Sequence, residues 1–114
     1  MITIKPLYWL GDSLDRLREF APEARVRVGF ELWEVQQGHE PADWKPVTTV
    51  GPGVNEIRVH AKGEYRVLYV AKFAHAIYVL HAFAEKTRQI SKRDIDLATT
   101  RYRGLIQTMQ RANT

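Results

Sequence analysis

Residues 56–60 read Glu-Ile-Arg-Val-His, residues 64–73 read Glu-Tyr-Arg-Val-Leu-Tyr-Val-Ala-Lys-Phe, and residues 76–87 read Ala-Ile-Tyr-Val-Leu-His-Ala-Phe-Ala-Glu-Lys-Thr. β-branched and aromatic side chains fill all three runs, and such side chains suit a pleated, half-buried surface. Three consecutive strands are predicted. In residues 55–61, Ile57 and Val59 alternate with Glu56, Arg58 and His60, the pattern of a strand with one apolar face. In residues 65–73, Val67 and Tyr69 oppose Leu68 and Val70, so both faces are apolar and the strand is expected at the centre of a sheet. In residues 77–83, strict alternation puts His81 on the face of Ile77, Val79 and Phe83. Lys62-Gly63-Glu64 supplies the first turn and residues 73–76 the second. Charged side chains inside strands are costly unless they face solvent or serve a site. That singles out Arg58, Arg66 and His81, with Lys86 just beyond.

The flanking segments read as support for this sheet. Residues 2–9 suggest a short first strand, which Pro6 confines to an edge or terminates because proline has no N–H for a ladder. Asp12 is placed to cap a helix whose Leu14, Leu17 and Phe20 share a face, with Asp15 adding negative charge to its first turn. Pro22 stops that helix and suits the first turn of the next, over residues 23–37, where Ala24, Val28, Leu32 and Val35 form the buried stripe. Gly38 follows as its C-terminal cap. The two helices are expected to form an antiparallel hairpin. Residues 38–54, punctuated by Gly38, Pro41, Pro46 and Gly51-Pro52-Gly53, read as a long irregular loop. Within it Trp44 either pins the loop to the core or, beside Lys45, stacks a base next to a phosphate. Ser91, three residues before Asp94, opens a last helix in the manner of a capping box. There Ile95, Ala98, Tyr102, Leu105 and Met109 form the buried stripe and Arg93, Arg101, Arg103 and Arg111 lie off it. Residues 112–114 read as a frayed tail.

The fold class is therefore α+β: a small, mostly antiparallel sheet, made of an N-terminal strand and a three-strand meander, packed with an N-terminal helical hairpin and a C-terminal helix. Residues 1–114 are expected to make a single domain. The net charge of +4 fits an anionic partner such as nucleic acid or an acidic protein. The chain has no cysteine, which excludes disulfides, thiolate metal sites and a cysteine nucleophile. The start of the chain does not read as a signal peptide, and Lys72 and His75 interrupt the best apolar run, so no membrane span is expected. A cytoplasmic protein is the expectation. No phosphate-binding glycine loop, zinc-spaced His-Glu pair or Gly-x-Ser-x-Gly elbow occurs. No metal or other cofactor is expected.

The chemistry that remains is a basic set with one histidine. Metal-free RNA cleavage needs the 2′-hydroxyl deprotonated, the phosphorus oxygens stabilised and the leaving 5′-oxygen protonated. Arginine suits the second task, and histidine either proton transfer near neutral pH. Lysine holds a phosphate, or moves a proton if its pKa is lowered. Each residue also has a plainer reading. Arg58 stands equally as a solvated residue on an open sheet face, and Arg66 as a cross-strand partner of Glu56 or Glu64. His81 reads as a satisfied core histidine, and Lys86, Arg88, Lys92 and Arg93 as a solvated connection.

The order of elements, together with Trp44-Lys45-Pro46, Gly51-Pro52-Gly53-Val54, Glu56-Ile57-Arg58, Tyr65-Arg66-Val67-Leu68-Tyr69, Leu80-His81-Ala82-Phe83, Lys86-Thr87 and Arg93-Asp94-Ile95, resembles the RelE/ParE toxin superfamily. More narrowly it is similar to the phage-derived, HigB-like toxins of type II toxin–antitoxin pairs. The resemblance covers nearly the whole chain and rests on the order and spacing of these pieces. It implies a single RelE-like toxin domain acting as an mRNA interferase, a ribosome-dependent endoribonuclease that arrests translation. It also implies a helix-turn-helix antitoxin, and a toxin–antitoxin hetero-oligomer on operator DNA. By position it implies that Arg58 and Arg66 grip the scissile phosphate, with His81 and Lys86 as the other catalytic residues. Lys45, Lys62, Lys72, Phe83, Arg88 and Lys92 are the accompanying RNA-binding set. Glu85 departs from the pattern where a second lysine is common, and Arg88-Gln89-Ile90-Ser91 stands where Gln-Lys-Thr-Pro is common. Two alternatives share the fold: a ParE-like gyrase inhibitor, and a non-catalytic regulator that binds only antitoxin and operator.

Overall fold

The computed structural model of the chain describes residues 3–112. The expectations for residue 2 and for residues 113–114 lie outside the described residues. In order, the elements are β1 (Leu7–Trp9), α1 (Ser13–Arg18), α2 (Pro22–Gln36), β2 (Trp44–Pro46), β3 (Val54–His60), β4 (Glu64–Val70), β5 (Ile77–Ala84) and α3 (Lys92–Ala112). The strands form one sheet in the order β1-β5-β4-β3-β2. β1 pairs with β5 in parallel, and the other neighbours are antiparallel. The α+β class, the meander and the central place of β4 agree with the sequence reading. Val67, Leu68, Tyr69 and Val70 of β4 are all buried.

Each face of the sheet has its own core. On one, Leu17 and Phe20 from the α1 region and Ala24, Val28, Leu32 and Val35 of α2 pack on Ile57, Val59, Val67, Tyr69, Ile77, Val79 and Ala82. On the other, Ala98, Tyr102 and Leu105 of α3 pack on Val54, Leu68, Val70 and Leu80 with Val47 and Val50. Pro22 is the first residue of α2, and Gly38, at φ 88°, ends it. There the Gly38 N–H donates to the Val35 carbonyl and the His39 N–H to the Glu34 carbonyl, the Schellman pattern.

Four expectations are corrected. The first strand has only three described residues, with Pro6 just before it. The 38–54 loop contains a short edge strand, β2, with Trp44 opposite Ile57 and Lys45 opposite Glu56. Its three residues and its proline hide it from a pattern search, since proline is tolerated only at a sheet edge. Asp12 makes no side-chain cap: its carboxylate meets Arg16 at 3.1 Å and Arg101 at 2.5 Å instead.

The fourth correction concerns His81. Leu68 pairs with His81 but Tyr69 pairs with Val79, leaving Leu80 as an extra residue on β5. Such a bulge reverses the alternation beyond it. His81 therefore joins the α3 face with Leu68 and Phe83, while Ile77 and Val79 belong to the other core. The bulge is held from outside the sheet. Arg101 donates to the Leu80 carbonyl at 2.8 Å, and the Leu10 N–H and Ser13 hydroxyl donate to the Val79 carbonyl at 2.9 and 3.3 Å. Arg101 is thus half-buried under the β1–α1 turn and does not lie out in solvent.

Candidate functional site

β1 covers only the first three residues of β5, through the pairing of Trp9 with Val79. Beyond that point β5 stays paired with β4, but its other edge has no strand partner among the described residues. Over this step, between α1, the 85–91 connection and the start of α3, opens a cavity of about 570 Å³. Its lining mixes charges with rings: His81, Phe83, Glu85, Lys86, Arg93 and Asp94, with Arg16 and Glu19 from α1 and its end, and Phe20 and Tyr65 from the other side of the sheet.

The N-terminus of α3 sets one wall. The Asp94 N–H donates to Ser91 Oγ at 3.1 Å, and the Ser91 hydroxyl donates to Asp94 Oδ2 at 2.7 Å. This capping arrangement leaves Asp94 Oδ1 directed at His81 Nε2, 2.7 Å away. A carboxylate on Nε2 fixes the proton there in the neutral ring and leaves Nδ1 as the acceptor. Nδ1 has no hydrogen-bond partner among the described residues. Burial pushes the His81 pKa below its ordinary value; the Asp94 bond opposes this and Arg101 adds to it. His81 is only 2% exposed and stacks on Phe83, with ring centroids 5.0 Å apart.

Next to this wall, on the same sheet face, lies a cluster of cations. Phe83 is opposite Arg66, and Arg66 is opposite Arg58. They are organised by Glu56, which is wholly buried. Its Oε1 accepts from Arg58 Nε at 3.0 Å and lies 3.7 Å from Lys45 Nζ, and its Oε2 accepts from Arg66 Nη1 at 3.2 Å. Arg66 is itself buried, and its Nη2 donates to Glu85 Oε1 and to the Arg88 carbonyl. Glu56 is one of the partners foreseen for Arg66; Glu85, not Glu64, is the other. Burial, the largest single influence on the Arg66 pKa, acts to lower it. Hydrogen bonding to Glu85 and attraction to both carboxylates outweigh burial and hold it above its ordinary value. Arg58 is half-buried, and its Nη atoms carry no hydrogen-bond partner among the described residues.

Of the residues named from sequence, His81, Phe83 and Lys86 line the cavity, while Arg58, Arg66 and Lys45 form the adjoining cluster. Arg88 is exposed and contributes its carbonyl, and Lys92 pairs with Asp96 at 3.0 Å in solvent. Two lysines of the RNA-binding set lie elsewhere. Lys62 reaches Glu23 of α2 at 3.2 Å, on the α2 side of the sheet. Lys72 donates to the Tyr102 hydroxyl at 3.0 Å, past the far end of β4. Asp94, Arg16, Glu19 and Tyr65 were not foreseen at the site. For Asp94 the capping signal was visible, but its approach to His81 follows from the bulge; Arg16 carries no local signal at all. Among the described residues no group of three or more His, Cys, Asp or Glu is arranged to hold a metal ion, and no helix is long and apolar enough to cross a membrane.

No curated protein matches the chain in sequence. The family described as phage derived protein Gp49-like (DUF891) matches residues 15–103, from α1 into α3 and across the whole site, and the chain belongs to that family.

Proposed function

We propose that the chain is the toxin of a type II toxin–antitoxin pair, related to RelE and HigB-like toxins, and that it cleaves mRNA on the ribosome. The observation that carries this reading is the meeting, on one sheet face, of the Arg58–Arg66 pair with His81 and Phe83, beside a cavity that Lys86 of the following connection also lines. In this reading the unpartnered Nη atoms of Arg58 hold a non-bridging phosphate oxygen. RNA displaces the Phe83 ring from the imidazole, and His81 Nδ1 takes the proton of the 2′-hydroxyl as that oxygen attacks phosphorus. The bond to the 5′-oxygen breaks, leaving a cyclic phosphate, and Lys86 returns a proton to the leaving oxygen. The Asp94 carboxylate stabilises the imidazolium formed on the way. A helix-turn-helix antitoxin would silence the toxin by covering this basic surface, and the pair would bind operator DNA. The setting is the cytoplasm.

The test is induction of the wild type and Arg58→Ala in cells, with 5′ ends of mRNA mapped. The wild type is expected to arrest growth and produce new ends, and the variant to lose roughly a hundredfold in cleavage. Equal arrest and equal ends from both would overturn the assignment. One observation favours a second reading: Arg66 already holds two carboxylates and His81 is nearly sealed. A ParE-like gyrase inhibitor, or a regulator that binds only antitoxin and operator, needs no free arginine there. Inhibition of supercoiling with mRNA left intact would select the former, and neither activity the latter.

A further inference from the structure

Arg66 does not line the cavity, but Glu85 does, and Glu85 is also the partner of Arg66 Nη2. The two carboxylates on Arg66 are not equivalent. Glu56 is wholly buried and shared with Arg58 and Lys45, so it is fixed by three cations. Glu85 is bound, among the described residues, to Arg66 alone, is partly exposed, and begins the irregular 85–91 connection. Its backbone is anchored, since its N–H donates to the Glu64 carbonyl at 2.7 Å. Its side chain can therefore swing away without moving the strand. With both carboxylates in place, both terminal nitrogens of Arg66 are occupied, and its buried Nε is left without a partner among the described residues. An anion arriving in the cavity meets the Glu85 carboxylate before it meets the guanidinium, and like charges repel.

We propose that Glu85 is a displaceable competitor built into the site: its carboxylate occupies, on Arg66, the position that a phosphodiester oxygen of single-stranded RNA takes when the RNA enters the cavity. The identity of the ligand rests on the RNA-cleavage reading above. The consequence is a toxin held at low affinity by its own acid. Engagement of RNA then requires either a well-placed substrate or a partner that draws Glu85 aside.

The experiment measures binding of a fully 2′-O-methylated RNA oligonucleotide, which cannot be cleaved, by fluorescence anisotropy. It uses the full chain as wild type, Glu85→Gln and Glu85→Ala, each with and without Arg66→Gln. Circular dichroism monitors folding throughout. Charge-assisted hydrogen bonds of this kind exceed neutral ones by enough to predict roughly tenfold tighter binding for both Glu85 variants. The gain is expected to vanish in the Arg66→Gln background. Unchanged or weaker binding by the folded Glu85 variants overturns the proposal, as does a gain that persists without Arg66. If both Glu85 variants unfold, Glu85 is a structural brace and the proposal also fails. Cleavage of unmodified mRNA is assayed separately. An Arg66-dependent gain without cleavage by any form removes the nuclease reading and leaves the competitor, while cleavage by the wild type without any gain does the reverse.

Discussion

Glu56 and His81 show how two polar side chains survive inside this sheet by different means. Glu56 has no exposed surface, and its carboxylate is answered by Arg58, Arg66 and Lys45. Removing Arg66 would leave the buried Glu56 answered only by the partly exposed Arg58 and the exposed Lys45, which costs more than the intact set contributes. His81 is kept neutral instead. Its folded pKa lies below the ordinary 6.5, chiefly through burial. Below pH 6.5 the unfolded chain binds a proton that the folded chain resists, so the stability tied to neutral His81 is complete above that value and is lost as pH falls through the folded pKa. His60 has the opposite sign: hydrogen bonding to Asp43 and Glu64 raises its pKa, so its contribution is present below 6.5 and fades as pH rises through its folded value. Being well exposed, it is screened and counts for less. The expected outcome is that the gap in thermal midpoint between wild type and His81→Gln, which keeps a donor for Asp94, narrows as pH is lowered from about 7.5 to about 5. A gap that stays constant across this range would show that folding does not shift the His81 pKa.

At the scale of elements, the bulge at Leu80 decides which side of the sheet carries the chemistry, and it depends on a contact made by α3. Gly11 turns the chain from β1 into α1 at φ 54°, and a Cβ there would collide with the Arg101 guanidinium. Gly11→Ala therefore meets two penalties: a left-handed backbone costing about 1–2 kcal/mol, and displacement of the guanidinium that holds the Leu80 carbonyl and Asp12. It is expected to lower the thermal midpoint by several degrees. Gly104→Ala, in α3 with open space around its Cα, is expected to raise stability by about 0.5–1 kcal/mol. Urea unfolding of the two variants checks both signs, and a Gly11→Ala chain as stable as wild type would deny the bulge this support. The same elements show what a sequence can disclose. The meander, the central β4 and the stripe of α2 were legible because periodicity and side-chain shape act locally. β2 was not, because three residues ending in proline carry too little pattern. The face of His81 was misjudged because a single inserted residue inverts alternation, and what stabilises the insertion sits 21 residues away on Arg101. Arg66 with Glu56 was anticipated as a cross-strand pair; Glu85 was seen only as a departure from pattern, since its place beside Arg66 depends on strand register.

For the whole molecule, the distribution of charge matters more than its total. Residues 65–84 and 97–114 contain no aspartate or glutamate, so most of β4, all of β5 and most of α3 carry only positive or neutral side chains. The acids lie instead in residues 12–64, at Glu85, and at Asp94 and Asp96 in the first turns of α3. If RNA binds through this diffuse excess, any exposed lysine should matter about equally. If it binds through the cavity, the effects should be local. Lys86 and Arg93 line the cavity, whereas Lys62 is exposed on the α2 side of the sheet with Glu23. Replacing Lys86 or Arg93 by Gln is expected to weaken binding of uncleavable RNA. Each replacement should also reduce the slope of log affinity against log salt by roughly 0.7 for every phosphate that the side chain neutralises. Lys62→Gln should leave both quantities close to wild type, although it removes the same formal charge. Anisotropy titrations at several salt concentrations decide the matter. Equal weakening by Lys62→Gln and Lys86→Gln would mean that net charge, and not the hollow beside β5, attracts the nucleic acid.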